Sequence, residues 1–295
     1  MHVELEITEE SKQVGAVAKD DDLQELSKND QNVQDMIYRN MKVHFIRCID
    51  WKNTGDMNCD PFVYFPELGD KYDCIYHSMH EIRWELIGKD DWIILGGGGI
   101  FGCLDRFQET INCLLELSRH VISWACGHNT HYDREIHTEI LYGRFYRLTT
   151  RDYGIGMEYL PDVSCMMSQL EKVYKTRREI GIVEHFEFPI IEFPYERISN
   201  TYSVQSIVRF IGESEVVITN TWHGSYWALL MGKKVVIYHP FSNRFDYYKY
   251  KPVLYSGNLE EDIGHAQCYT QALCEAREQN IRFAQEIKRA IEERT

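Results

Sequence analysis

From residue 41 onward, apolar positions fall in short continuous runs, separated by stretches with helical spacing. Continuous runs of this length predict strands covered on both faces of a sheet. They lie at Val43–Cys48, Tyr72–Tyr76, Trp92–Leu95, Val121–Ala125, Arg144–Thr149, Glu179–Val183, Glu215–Thr219 and Lys234–Tyr238. Helices are predicted at about 104–119, Ser203–Ile211, Ser225–Met231 and Tyr269–Glu293. The last is long and amphipathic, as suits a helix packing back across the first half. Strands alternating with helices imply parallel βαβ units. The expected fold class is therefore α/β, with two Rossmann-like domains at 41–160 and 161–295. Residues 1–40 are polar and acidic and read as a loosely held arm, with a short helix around 22–27 or 31–38.

Composition narrows the functional classes. The chain has 295 residues, 44% of them hydrophobic, which is ample for buried cores. Its net charge of −14, with basic residues only in short pairs such as Arg177-Arg178, argues against nucleic acid as a partner. Nine cysteines occur with no CxxC pair and no zinc-finger spacing, so they read as reduced, mainly buried thiols. The acidic start MHVELEITEESK lacks the apolar region of a signal peptide, and no apolar run approaches a membrane span. A cytoplasmic location follows as the expectation, with peripheral membrane contact at most. Gly-x-Ser-x-Gly, His-Glu-x-x-His and kinase signatures are lacking, which disfavours a hydrolase triad or a zinc protease.

Chemistry-bearing residues gather just after the predicted strands, at the sheet edge where open α/β folds bind ligands. Asn53 and Asp56 follow the first strand, and Gly96–Gly99 follow Trp92–Leu95. Gly97 and Gly98 either bring backbone N–H groups to an anion at a helix start or form a tight turn. His128, Asn129 and His131 follow Val121–Ala125 as substrate contacts or loop framework; no metal is expected there, because their spacing lacks an acidic partner. Arg151-Asp152 end another strand, where Arg151 can grip a carboxylate or phosphate, or simply pair with Asp152. Arg244 is a second anion ligand, and His185 faces the same cleft after Glu179–Val183. Asn220-Thr221-Trp222-His223-Gly224 form a strand-to-helix turn, where an imidazole can bind an anion or move a proton.

Five pieces in order resemble the polysaccharide pyruvyl transferase family: Asn53-Thr54-Gly55-Asp56, Ile94–Gly99, Thr150-Arg151-Asp152, Pro161-Asp162-Val163 and Val217–Gly224. The resemblance spans roughly residues 42–245. It implies a GT-B-like fold and transfer of a pyruvyl group from phosphoenolpyruvate, as donor substrate and without a further cofactor. The acceptor would be a hydroxyl of a sugar or lipid-linked oligosaccharide in cell-surface polysaccharide synthesis. His223 matches a donor-contacting histidine of the family, with Asn220, Thr221 and Gly224 in the same motif. Thr221 stands where the family commonly carries arginine, so Arg151 or Arg244 would have to supply that charge. His223 is the candidate acid, and Asp56 or Asp152 the candidate base. A GT-B glycosyltransferase using a nucleotide sugar and a non-catalytic glycan-binding protein are the rival expectations.

Overall fold

The computed structural model describes residues 41–293; the acidic arm and its expected helices lie outside the described residues. Two parallel sheets organise the chain. The first contains β1 (Lys42–Arg47), β2 (Asp73–Ser78), β3 (Trp92–Leu95), β5 (His120–Ser123), β7 (Arg147–Thr150) and β8 (Glu158–Tyr159), in the order β2-β1-β3-β5-β7-β8. The second contains β9 (Arg178–Glu184), β10 (Arg197–Ser199), β11 (Ser214–Thr219), β12 (Lys234–Ile237) and β13 (Val253–Leu254), in the order β10-β9-β11-β12-β13. Every pairing in both sheets is parallel. This is a Rossmann-like α/β architecture, built twice.

Each sheet has one place where the chain reverses its direction of winding, between β1 and β3 and again between β9 and β11. A crevice forms there because the two flanking loops leave on opposite faces. Asn53 and Gly96-Gly97 sit on the loops leaving β1 and β3, His185 on the loop leaving β9, and His223 in the first turn of the helix that follows β11.

Trp92–Leu95 is fully buried, as a central parallel strand requires. The glycine run after it opens into a further short strand, β4 (Gly98–Phe101), paired with β6 (Cys126–His128). It does not open a helix: the next helix, α3 (Asp105–Leu117), begins six residues after Gly99. The Gly96 and Gly97 N–H groups donate to Ile46 O at 2.7 Å and Cys59 O at 3.1 Å. The expected anion cradle is therefore corrected to a close backbone approach. A Cβ on Gly96 would lie 3.0 Å from Cys59 O, and Gly98 has φ of +93°. The helix expected from Ser225 starts three residues earlier, as α5 (Trp222–Leu230), because Thr221 caps it.

The remaining helices are α1 (Thr54–Met57), α2 (Pro61–Tyr64), α3 (Asp105–Leu117), α4 (Val204–Gly212), α6 (Leu259–His265) and α7 (Ala272–Glu293). Helix α7 ties the halves together. Its Ala272 and Ala276 pack into the core beside the second sheet. Phe283, Ala284, Ile287 and Ile291 pack with Val43, Trp92 and Trp124 beside the first. At mid-helix the buried Asn280 accepts from Trp124 Nε1 at 2.9 Å and donates to Pro161 O at 2.9 Å. The segment between the sheets likewise serves both cores, Leu160 and Val163 on one side and Cys165, Met167 and Leu170 on the other.

Behind the first sheet runs a buried chain of two histidines and an acid. The Arg83 N–H donates to His77 Nδ1, leaving His77 Nε2–H for His44 Nδ1 at 2.9 Å and His44 Nε2–H for Asp91 at 3.1 Å. Burial, followed by the neighbouring His44, pushes His77 down from 6.5 to about 4. The unfolded chain then takes up this proton at higher pH than the folded one. His77 thus contributes stability that is intact above pH 6.5 and lost as pH falls toward 4. A falling melting temperature across that window is expected, with a shallower slope in His77→Gln. Identical slopes for the two proteins would remove His77 from this role.

Candidate active site

The halves meet along both margins of the crevice. On one side Thr54 N donates to Asn200 O at 3.0 Å and Thr54 Oγ1 to Tyr202 O at 2.6 Å. On the other, Thr130 and Asn243 exchange bonds of 2.9 and 3.0 Å, and Tyr132 N donates to Phe241 O at 3.2 Å. Between these seams lies a narrow pocket walled by Asn53, Gly55, Val183, His185, Asn200, Thr221, Trp222, His223, Gly224 and Arg244.

Behind the cavity is a buried ionic cluster. Asp162, fully buried, accepts from Arg151 Nη1 at 3.1 Å and from Ser164 N at 3.0 Å. His223 Nε2 lies 3.6 Å from Asp162 Oδ2 and 3.1 Å from Cys59 Sγ, and Cys59 Sγ is 3.4 Å from the same carboxylate oxygen. Burial pushes the Asp162 carboxyl up, but His223 beside it, the Arg151 charge and the Ser164 N–H bond hold it well below the usual range. The Cys59 thiol is pushed well up by burial and by the Asp162 and Asp56 charges, so it remains a neutral thiol.

Arg151 owes its place to glycines. A Cβ on Gly127 would come within 2.4 Å of Arg151 Nε, and one on Gly99 within 3.3 Å of Nη2. Its guanidinium stacks 3.5 Å from the Trp222 ring centroid. Trp222 in turn stacks on Tyr226 and Tyr248, at 4.9 and 5.7 Å. Gly55 performs the same service for His223, whose Nδ1 would be 2.1 Å from a Cβ at position 55.

The sequence candidates divide. His223, His185, Arg244, Asn53, Thr221 and Gly224 reach the cavity wall. Thr221 does so as the cap of α5, its Oγ1 accepting from Gly224 N at 3.2 Å. Asn53 caps α1 and donates to Asp56 Oδ2 at 2.8 Å. Gly97 backs Asp162, 3.2 Å from where its Cβ would be. Arg151 belongs to the cluster behind. Asp152 is buried and occupied: it accepts from His128 Nδ1 at 2.7 Å, His128 N at 2.6 Å and Thr150 Oγ1 at 3.1 Å. His128 continues to Tyr142 at 3.0 Å. Asn129 is buried beside Gly99. His131 pairs with Ser242 in the seam. Asn220 receives the His185 N–H at 2.8 Å and donates to Phe188 O at 2.7 Å, clamping the turn after β9.

The sequence pattern assigns no individual role to Asp162 or Cys59, and names Trp222 only as part of the 220–224 turn. Asp162 did stand in Pro161-Asp162-Val163, a piece of the family pattern, but nothing local marks it as the counterion of Arg151. Asp56, Cys59 and His223 each offer a ligand atom within 4.8 Å of the others, so among the described residues this grouping is the one able to hold a metal. Spacing along the chain concealed it, since its third member is 164 residues from Cys59.

Arg244 has a guanidinium without a carboxylate. Among the described residues it makes no ion pair, its shielded Nε has no hydrogen-bond partner, and its contacts are the faces of Phe241 and Phe245 at 4.7 and 5.1 Å. Burial and the Arg151 charge lower it to about 10, so it stays cationic at neutral pH.

The chain matches no protein-family model and no curated protein. Among solved structures it is similar to the uncharacterized protein KP1_0663 of Klebsiella pneumoniae subsp. pneumoniae NTUH-K2044, with a TM-score of 0.45 at 15% identity, covering 72% of this chain and 88% of that one.

Two substitutions test the site's construction. Asp162→Ala strands a buried guanidinium and is expected to cost about 3–5 kcal/mol in denaturant unfolding. Gly55→Ala forces His223 aside and is expected to cost about 1–3 kcal/mol. Gly143→Ala, with nothing within 4 Å of the added carbon, is the control. Equal stability of the two glycine variants would contradict the close approach.

Proposed function

We propose that the protein transfers a pyruvyl group from phosphoenolpyruvate to sugar hydroxyls in polysaccharide synthesis, on a fold of the GT-B type. Arg244 carries this reading: a guanidinium with no ion pair among the described residues shares the pocket with His223. A partly buried cation that lacks an ion-pair partner favours an anionic ligand. Phosphoenolpyruvate brings a carboxylate and a phosphate to it. In this reading Arg244 replaces the charge that the family places at the position of Thr221. Two Rossmann-like halves around a cleft, with α7 returning across the first half, support the GT-B assignment.

The chemistry assigns each residue a task. His223, oriented by Asp162, delivers a proton to the methylene carbon, leaving C2 electrophilic. A sugar hydroxyl attacks C2 and gives its proton to Asp56, whose Oδ2 is held by Asn53. The second hydroxyl then attacks C2 as the C2–O bond to phosphate breaks, its proton leaving on the phosphate, and Asp56 returns the first hydroxyl's proton to His223; a diol and phosphoenolpyruvate thus become a pyruvate ketal and inorganic phosphate. Asp56 is favoured over Asp152 because Asp152 is occupied by His128 and Thr150.

Phosphoenolpyruvate at 100 times its dissociation constant should stabilise the wild type by about 2.7 kcal/mol. Arg244→Gln should lose that stabilisation. His223→Ala should reduce acceptor-dependent phosphate release by about 10²–10⁴-fold. Full activity in His223→Ala would sink the assignment. Stabilisation by a nucleotide sugar instead would favour a glycosyltransferase, and by oligosaccharide alone a non-catalytic glycan-binding protein.

A further inference from the structure

Beside the cavity mouth, two large aromatic side chains are left in solvent on a turn that is held rigid. Phe186 and Phe188 are 37% and 48% exposed. They flank His185, at ring distances of 5.0 and 5.4 Å, and His185 is itself part of the cavity wall. The turn is closed by Phe188 N donating to His185 O at 3.0 Å. Two buried amides pin it from below: Asn200 Oδ1 accepts from Phe186 N at 3.0 Å, and Asn220 bonds both His185 N and Phe188 O. Phe188 also packs on Phe241 at 5.1 Å, next to Arg244.

Exposed apolar rings on a surface turn contribute little to a core. Holding them in one orientation lowers the entropy lost when a ligand binds against them. Across the mouth, Lys52 of the first half reaches to 6.0 Å from the Phe186 ring, on a turn that also bears Trp51, 81% exposed. The shelf therefore adjoins the cavity through His185 and faces Lys52 of the first half.

We propose that Phe186 and Phe188 form the subsite that seats the acceptor, a pyranoside stacked through its C–H face, with its hydroxyls directed past His185 into the cavity. This deepens the proposed function and rests on that reading. The chemistry of His185 suits it. Glu187 N donates to Nδ1 at 3.3 Å, so the neutral ring carries its proton on Nε2 and can donate to a sugar hydroxyl. Burial and the Arg244 charge lower His185 to about 4, which keeps the ring neutral at physiological pH.

Saturation-transfer NMR with methyl β-galactopyranoside, β-glucopyranoside and α-mannopyranoside tests the subsite. At least one glycoside should give signal with the wild type. Phe188→Ala should lose most of it, Phe188→Tyr should restore it, and phosphoenolpyruvate should still raise the melting temperature of Phe188→Ala. In turnover assays the acceptor KM should rise at least tenfold in Phe188→Ala and Phe186→Ala, with the donor KM little changed. Undiminished glycoside binding by both alanine variants overturns the proposal. So does binding of phosphatidylglycerol vesicles that needs Phe188 while no glycoside binds. Glycoside binding that needs Phe188, without any response to phosphoenolpyruvate, upholds the subsite and overturns the donor assignment instead.

Discussion

The buried carboxylate of Asp162 is the constraint on which the candidate site depends. It lies in the segment joining the sheets and holds Arg151 from the end of β7, with His223 from the start of α5 and Cys59 from the loop after β1 close by. Its backbone carbonyl also accepts from Tyr226 at 2.9 Å. A charge this deep is tolerated only with close partners, and removing one strands the other. The same groups that satisfy the ion pair therefore fix where the two halves meet and which way His223 points.

Glycine makes that density of charge possible. At positions 55, 97, 99 and 127 a single added carbon would collide with or crowd His223, Asp162 or Arg151. The tetraglycine thus serves packing more than phosphate binding. In contrast, Arg244 faces the cavity from the second half and makes no ion pair among the described residues, with the Asp56 charge acting on it; this asymmetry between two neighbouring arginines separates framework from candidate ligand.

Much of the architecture was legible along the chain. The run Trp92–Leu95 was a strand with those bounds, and the clustering of polar residues after strands marked the right sheet edge. His223, Arg244, His185 and Asn53 were picked out by that logic and do reach one cavity. The logic failed where a residue's partner lies in another element. Asp152 looked like a free base and is held by His128; Asn220 looked like a ligand and clamps the turn bearing Phe186 and Phe188. Gly96–Gly99 looked like a helix entry because glycine before a helix and glycine inside a kinked strand read alike.

Strands, helices and caps follow from neighbours within a turn or two, so the order of side chains alone determined that this chain would form two α/β halves with reactive residues at their strand ends. Tertiary structure decided the rest. Cys59 and His223 are 164 residues apart, and Arg151 and Asp162 meet because β8 pairs alongside β7 and returns the chain to its end. Which arginine makes an ion pair depends on distances across that junction, and charge interactions act through space rather than along the chain.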